Sequence, residues 1–409
     1  MNYILKMSLR NLARNKRRSV FSALAVSIGT ALLLFMSATL RGEMRGSLDL
    51  TINLYTGHLQ IHTENYKDSN MSLKRADTIE NPLRISQQIE TITQVKAATP
   101  RLNASAVLAF KNETIGLQVI GIDPSSEANA IYREGLIDGK FLTADDREGV
   151  LVGYPLAENL GLKVGDSIDL ILNTSDGETD EQPFIIRGIY TTDTPGYDKA
   201  TIFMPLEKAQ TITRTENHAS MIYILLNNMD DTDAVKAAIQ APGYVIEDWR
   251  DMNKLIIIVE QLSNAMMFFF NLMVLGVTST VIMNTLLMAV YERTREMGIL
   301  GALGMKAKQI KALFLTEATL LAIGGVLVGL AIGIPLVLYF SNIGFVVGDI
   351  GISANSGMMF GNSIYPDPTT FADVISVSLA GLLITIASGY YPASQAAKME
   401  PVDALHSNN

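Results

Sequence analysis

The stretch KRRSVFSALAVSIGTALLLFMSATL, residues 16–40, decides how this chain is to be read. Lys6, Arg10, Arg14, Lys16, Arg17 and Arg18 place six cations and no acid in residues 1–18, and no residue from Ser19 to Leu40 is charged. An uncharged run of that length spans about 33 Å as a helix, enough to cross a bilayer, and the basic cluster before it is expected to stay in the cytoplasm. A secretory signal peptide begins in the same way, but its apolar core is about 7–15 residues long and ends at a small-x-small cleavage site. Here the run is longer and Arg41 follows it directly. The segment therefore reads as a retained first span, 19–40, preceded by an amphipathic helix, 1–18.

Three more apolar stretches follow much later, at Ala265–Val290, Ala312–Phe340 and Val374–Tyr391. One acid, Glu317, lies near the start of the second of these, where the interface or a helix neighbour can satisfy it. Basic residues in short loops set the orientation. Residues 291–311 contain Arg293, Arg295, Lys306, Lys308 and Lys311, whereas 341–373 contain no Lys or Arg and the acids Asp349, Asp367 and Asp373. The expected layout puts a stalk and second span at 255–290, a cytoplasmic elbow at 291–311 and a third span at 312–340. An outer loop at 341–373, a fourth span at 374–391 and a cytoplasmic tail at 392–409 complete it. Both termini are then cytoplasmic, and 41–254 lies outside.

That outer segment exceeds 200 residues, long enough to bury a core of its own. Its 20 basic and 32 acidic residues give it a net charge of −12, which disfavours nucleic acid as a partner. The chain has no cysteine, so a domain of this size must fold on burial alone. Alternating or apolar runs at Leu117–Ile122, Ser167–Leu172, Phe184–Tyr190 and Met221–Leu226 predict strands. Helices are predicted from Pro82 to about Val95 and over Asp233–Gln240, the latter capped by Thr232. Asn173–Gln182, with Asp176-Gly177, predicts a turn or exposed loop. The fold class is thus a membrane protein with four transmembrane α-helices and a large α+β extracytoplasmic domain between the first and second.

Motifs for catalysis are missing. Gly135-Leu-Ile-Asp-Gly139-Lys140 has three residues between its glycines instead of four and Phe141 after the lysine, so it lacks the hydroxyl that a phosphate-binding loop needs for magnesium. His58 and His62 are spaced as helical metal ligands would be, but the surrounding sequence reads as a strand and supplies no further ligand. With only His218 and His406 elsewhere, neither a metal site nor a catalytic centre is expected.

The membrane half is more specific. Gly325, Gly329 and Gly333 give the third span a flat face that admits another helix, either within the chain or at a subunit interface. Pro335 just beyond them is expected to kink or loosen that span. Met266, Met267, Phe268, Phe269 and Phe270 cluster in the second span, where adaptable apolar side chains suit an acyl chain as substrate, or simply lipid and neighbouring helices. Glu292–Ile310 joins two spans with charges around small apolar residues. Such an elbow can present an apolar tip to a partner, or serve only as a positive-inside loop.

This last segment resembles the hallmark of the FtsX-like permease family of ABC transporters, which reads approximately ERxREIGxLxAxGxxxxxI followed by an acid in the next helix. Glu292, Arg293, Arg295, Glu296, Gly298, Leu300, Ala302, Gly304, Ile310 and Glu317 match it, with Met297 in place of the usual Ile. Ser8–Arg18 resembles the family's basic interfacial helix, and Tyr391–Leu405 its closing YPAxxAAxxxPxxAL motif. Gly57–Ile61, Gly121–Pro124 and Leu156–Asp166 resemble the MacB-type periplasmic core, in particular that of Lol lipoprotein-releasing permeases.

The resemblance implies a non-enzymatic subunit in the bacterial inner membrane that holds no cofactor itself. ATP and magnesium would be bound by a separate cytoplasmic ABC ATPase dimer. That dimer would push on Glu292, Arg293, Arg295, Glu296, Ala302, Leu303, Gly304, Met305 and Lys306. A helical stalk near Trp249–Gln261 would carry the displacement outward. The other implied partners are a second permease subunit, identical or related, membrane lipids, a lipoprotein substrate, and a periplasmic carrier or adaptor. Lipoprotein or lipid extraction is the first function implied. Export of peptides, drugs or other amphiphiles is the second, and FtsX-like regulation of cell-wall hydrolases is the non-transport alternative.

Overall fold

The computed structural model describes residues 2–67, 71–111, 113–346 and 363–398. Most of the expected outer loop, Asp349 included, residues 399–405 of the closing motif and His406 lie outside the described residues. The chain divides into two units, one of residues 1–45, 259–345 and 364–409, the other of 46–258 and 346–363.

Helices α1 (Asn2–Arg14), α2 (Lys16–Thr51), α3 (Lys254–Glu292), α4 (Thr294–Ala302), α5 (Ala307–Ile343) and α6 (Phe371–Ala397) build the first unit, α2 and α3 running on past its boundaries. Of these, α2, α3, α5 and α6 are long and apolar enough to cross a membrane. Each outruns its apolar stretch, because hydropathy marks only the part suited to lipid, whereas helical hydrogen bonding continues into flanking polar sequence. α6 passes through Pro392, where the sequence had placed the start of a tail. Ala393 and Ala396 are buried against Met297 and Phe314, and this packing offsets the hydrogen bond that proline removes. α5 likewise continues through Pro335 to Ile343.

The glycine stripe of α5 lies against α2 of the same chain. A Cβ at Gly325 would stand 2.5 Å from Val26 Cβ, one at Gly329 2.7 Å from Ser27 O, and one at Gly333 3.1 Å from Ala31 Cα. Only a bare Cα fits such an approach, so the two helices pack backbone to backbone, with dispersion and close fit in place of a hydrophobic effect. At the far end of α2, Arg41 forks onto Asp373 at 2.5 and 2.8 Å and Arg45 reaches Asp367 at 3.0 Å. The Asp367 N–H donates to Ala38 O at 2.9 Å.

The second unit is α+β. Ten strands form a mixed sheet: β1 (Leu59–His62), β2 (Val95–Phe110), β3 (Glu113–Ile122), β4 (Leu136–Gly139), β5 (Gly149–Gly153), β6 (Ser167–Asn173), β7 (Thr179–Tyr190), β8 (Thr201–Pro205), β9 (Met221–Leu226) and β10 (Val245–Asp248). Their order is β10-β1-β9-β2-β3-β8-β5-β7-β4, with β6 paired to both β2 and β7. Only β3–β8 and β5–β7 are parallel. β2 is the spine. Its first part pairs with β9 from Val95↔Leu226 to Arg101↔Met221, and its second with β3 from Leu102↔Gly121 onward. One apolar core, around Leu108, Val150, Leu170 and Phe184, lies along the second part, and another, around Leu59, Ile61, Ile89 and Ile224, along the first.

Local differences from the sequence reading have local causes. The helix from Pro82 ends at Glu90 rather than near Val95, since the β-branched run Thr91-Ile92-Thr93 costs χ1 freedom in a helix and leads into β2. Thr232 is the first residue of its helix, Thr232–Ala238, and not the cap; its hydroxyl donates back to Met229 O at 2.5 Å. Residues 179–182 of the expected loop belong to β7. The turn itself is short because Gly177, at φ +83°, takes a left-handed conformation that other residues adopt only with strain.

Two predictions follow from this packing. Gly329→Ile is expected to destabilise the full-length protein in detergent by about 1–3 kcal/mol or more through overpacking. Gly324→Ile, where an added Cβ meets nothing within 4 Å, should leave the thermal midpoint nearly unchanged; equal losses would refute the close approach. In the outer unit, His58 Nδ1 accepts the Leu226 N–H at 3.2 Å, and burial, aided by the Lys96 charge, pushes the imidazole pKa down to about 4 from its ordinary 6.5. The unfolded chain then takes up the proton first, so stability is complete above 6.5 and falls as pH drops from 6.5 toward about 4. Hydrogen-exchange protection of β1 and β9 should fall across that window and fall less in His58→Gln.

Candidate functional site

The elbow between α3 and α5 is the most sharply defined polar feature of the helical unit. α3 ends at Glu292, Arg293 leaves the helical conformation at φ −113°, and α4 adds nine residues before the chain turns back into α5. The turn is a Schellman motif. Gly304 sits at φ +93°, its N–H donates to Gly301 O at 3.0 Å, and the Met305 N–H donates to Leu300 O at 3.0 Å. The sequence Leu-Gly-Ala-Leu-Gly-Met, residues 300–305, supplies glycine at the position needing a left-handed backbone, and Leu300 and Met305 at the two positions that such a turn brings together. At the start of α5, Gln309 Oε1 accepts the Lys306 N–H at 2.8 Å, satisfying one of the helix's orphan donors.

A small apolar core holds the elbow from beneath: Ala289 and Val290 of α3, Met297 of α4, Ile310 and Phe314 of α5, and Ala393 and Ala396 of α6. Beside it lies a buried ion pair. Arg293 Nη1 donates to both oxygens of Glu317, at 3.1 and 3.3 Å, with Arg293 2% and Glu317 1% exposed. Asn11 Nδ2 donates to Glu317 Oε1 at 2.7 Å, and Arg293 Nε lies 3.6 Å from Glu296. Ser8 Oγ donates to Leu313 O at 3.3 Å, seating α1 along α5. Outside this buried centre, Arg14 pairs with Glu296 at 2.5 Å and Arg18 with Glu292 at 2.8 Å.

The residues expected at the coupling surface therefore separate into two groups. Glu292, Arg293 and Glu296 are engaged by α1, α2 and α5. Arg295, Ala302, Leu303, Gly304 and Lys306 are exposed, with Leu303 at 80% the most open apolar side chain of the elbow, and Met305 half-buried behind them. Arg14, Arg18 and Asn11 were not among the residues singled out for the elbow. Their signal was present: Arg14 and Arg18 stand four apart, as do Glu292 and Glu296, so two like-spaced ladders of opposite sign can lie side by side. In α3, Met266, Phe268, Phe269 and Phe270 are 42–69% exposed and Met267 is half-buried, so the described residues leave this cluster uncovered. Gly135–Lys140 lies mostly in β4, and His58 and His62 engage Leu226 and Glu247 respectively.

Comparison with known proteins matches residues 19–241 to the MacB-like periplasmic core domain and residues 268–401 to the FtsX-like permease C-terminal region. The chain is 23% identical to the lipoprotein-releasing system transmembrane protein LolC of Neisseria meningitidis serogroup B, over 98% of each chain. It is 25% identical to LolE of the same system in Haemophilus influenzae, over 95% of this chain and 94% of the relative. It is also 27% identical to the macrolide export ATP-binding/permease protein MacB of Campylobacter fetus subsp. fetus, over 98% of this chain and 60% of the relative.

Truncating either member of the buried pair, as in Arg293→Ala or Glu317→Ala, is expected to cost about 3–5 kcal/mol by stranding a buried charge. Arg14→Ala and Glu296→Ala remove an exposed pair and should cost under about 1 kcal/mol. Thermal unfolding of the full-length variants in detergent checks this ranking, and indistinguishable midpoints for the two pairs would contradict it.

Proposed function

We propose, since this chain belongs to the MacB-like periplasmic core domain family and carries an FtsX-like permease C-terminal region, that it is a permease subunit of an ABC transporter that extracts lipoproteins or lipids from the inner membrane. The elbow carries the mechanical part of this reading. An exposed apolar tip, Ala302 to Gly304, is mounted on a buried ion pair and a small core, so a load on the tip reaches α3 and α5 instead of bending a loop. A separate ATPase, dimerising on ATP, would press there. α3 leaves the elbow as one helix from Glu292 back to Lys254, and its exposed face at Met266–Phe270 would receive acyl chains or a second permease subunit. Both termini and the elbow lie in the cytoplasm in this reading.

The energetics call for such a device. An acylated protein stays in the bilayer because each buried CH₂ contributes about 0.8 kcal/mol. Removing acyl chains therefore needs coupled work and an apolar surface during transit. ATP hydrolysis in the partner supplies the work. Support for the cargo is the likeness to lipoprotein-releasing LolC and LolE along nearly the whole of each chain. The likeness to MacB favours a second reading, export of an amphiphile through an adaptor.

Reconstituted with its ATPase, the protein should hydrolyse ATP faster when acylated lipoprotein is added and should not respond to the same protein without its acyl chains. Leu303→Asp should abolish that stimulation and co-purification of the ATPase while leaving the thermal midpoint unchanged. A response to a macrolide or peptide alone would instead support the second reading.

A further inference from the structure

The outer unit buries a cation to which the described residues bring no counter-charge. Arg101, on β2, is 2% exposed, and among the described residues it forms no ion pair. Its guanidinium carbon lies 3.6 Å from the centroid of the Tyr223 ring. Nη1 donates to Leu54 O and Nη2 to Asn129 Oδ1, both at a long 3.3 Å, and Nε is buried without a partner. Leu54 O is also approached by the hydroxyls of Tyr132 at 3.4 Å and Tyr197 at 3.3 Å. Tyr132 and Tyr197 also share a hydrogen bond at 3.0 Å, so Arg101 and one of these hydroxyls divide one neutral carbonyl, each at the long edge of hydrogen-bonding distance. The described groups that meet Arg101 are all neutral, and the buried carboxylate of Asp198, next to Tyr197 in sequence, is engaged by Thr191 and Thr192 instead.

A cavity of about 120 Å³ opens beside these groups, lined by Arg101, Asn103, Tyr55, Gln118, Ile120 and Tyr197 among others. Tyr55 is 43% exposed, so the cavity wall reaches the surface. Asn103 contributes a second unsatisfied atom. Its Nδ2 donates to the Tyr66 hydroxyl at 3.2 Å while Oδ1 is buried without a partner.

We propose that this cavity binds a small oxyanion, a phosphate or carboxylate group, with Arg101 as its charge partner. Burying a guanidinium without an anion is unfavourable, and the aromatic face of Tyr223 offsets only part of that cost. The planar fork of arginine matches the oxygens of a phosphate or carboxylate, and hydrogen bonds between the two are roughly twice as strong as neutral ones. Tyr197 is a further donor toward the anion, and Asn103 Oδ1 accepts a hydrogen bond from a protonated oxygen of the ligand. The volume holds several waters or one such group.

The test uses the full-length protein in nonionic detergent and isothermal titration with inorganic phosphate, glycerol 3-phosphate as the phosphomonoester of a lipid headgroup, and acetate. At least one should saturate at one per chain, with a dissociation constant of about 1 mM or tighter. Arg101→Gln should weaken it about tenfold or more. Gln118→Trp narrows the cavity and leaves Arg101 intact, so it decides the matter even if Arg101→Gln does not fold; it too should lose binding while keeping the wild-type thermal midpoint. Stronger binding of glycerol 3-phosphate than of phosphate points to a lipid headgroup, and the reverse to the free ion. The proposal is overturned if none of the three saturates, or if Gln118→Trp, folded, binds as the wild type does.

Discussion

Arg293 and Glu317 have almost no access to solvent, and they meet at 3.1 Å, each the other's counter-charge. Through this contact the end of α3, the short α4 and the start of α5 become one body. Asn11 extends it to α1. A buried pair of this kind contributes little net stability relative to an apolar core of the same shape, but it tolerates no partial arrangement. It therefore specifies geometry. The Schellman turn at Gly304 and the exposed Leu303 are placed by this base, which is what the push proposed for the tip would require.

The outer pairs, Arg14–Glu296 and Arg18–Glu292, work differently. They are partly solvated, so each is worth little and is screened by salt. Their value is in register, because two ladders spaced four residues apart match in one alignment. At the other end of α2, Arg41 and Asp373 repeat the device with a forked contact. Asp367 and Asp373, which the sequence reading used only to orient a loop, are thus structural partners of α2.

The spans, the α+β class of the outer unit and strands such as β6 and β9 were legible because hydropathy and alternation report burial directly. The elbow was legible as a motif, although its division into a clamped part and an open tip was not, since that depends on contacts with α1 some 300 residues away in sequence. β2 escaped notice for a related reason. Thr99, Arg101 and Asn103 are polar yet buried, so the strand shows no apolar alternation, and Pro100 argues locally against it. Its pairing on both edges overrides that local signal. The glycine stripe is plain in the sequence, but that it meets another helix of the same chain is visible only in the distances to Val26, Ser27 and Ala31.

The wide sequence separation of α2 from α5 has a consequence for biogenesis. The glycine seam cannot close until the ribosome has delivered more than 200 residues of exported domain and then two more hydrophobic segments. Until that moment α2 waits in lipid with its small-residue face unmatched. Glu317 is protected from a similar delay, because its cation Arg293 is only 24 residues upstream and emerges with the same hairpin. The acid thus reaches the translocon with its neutralising companion already made, and Asn11, synthesised long before, needs only to dock.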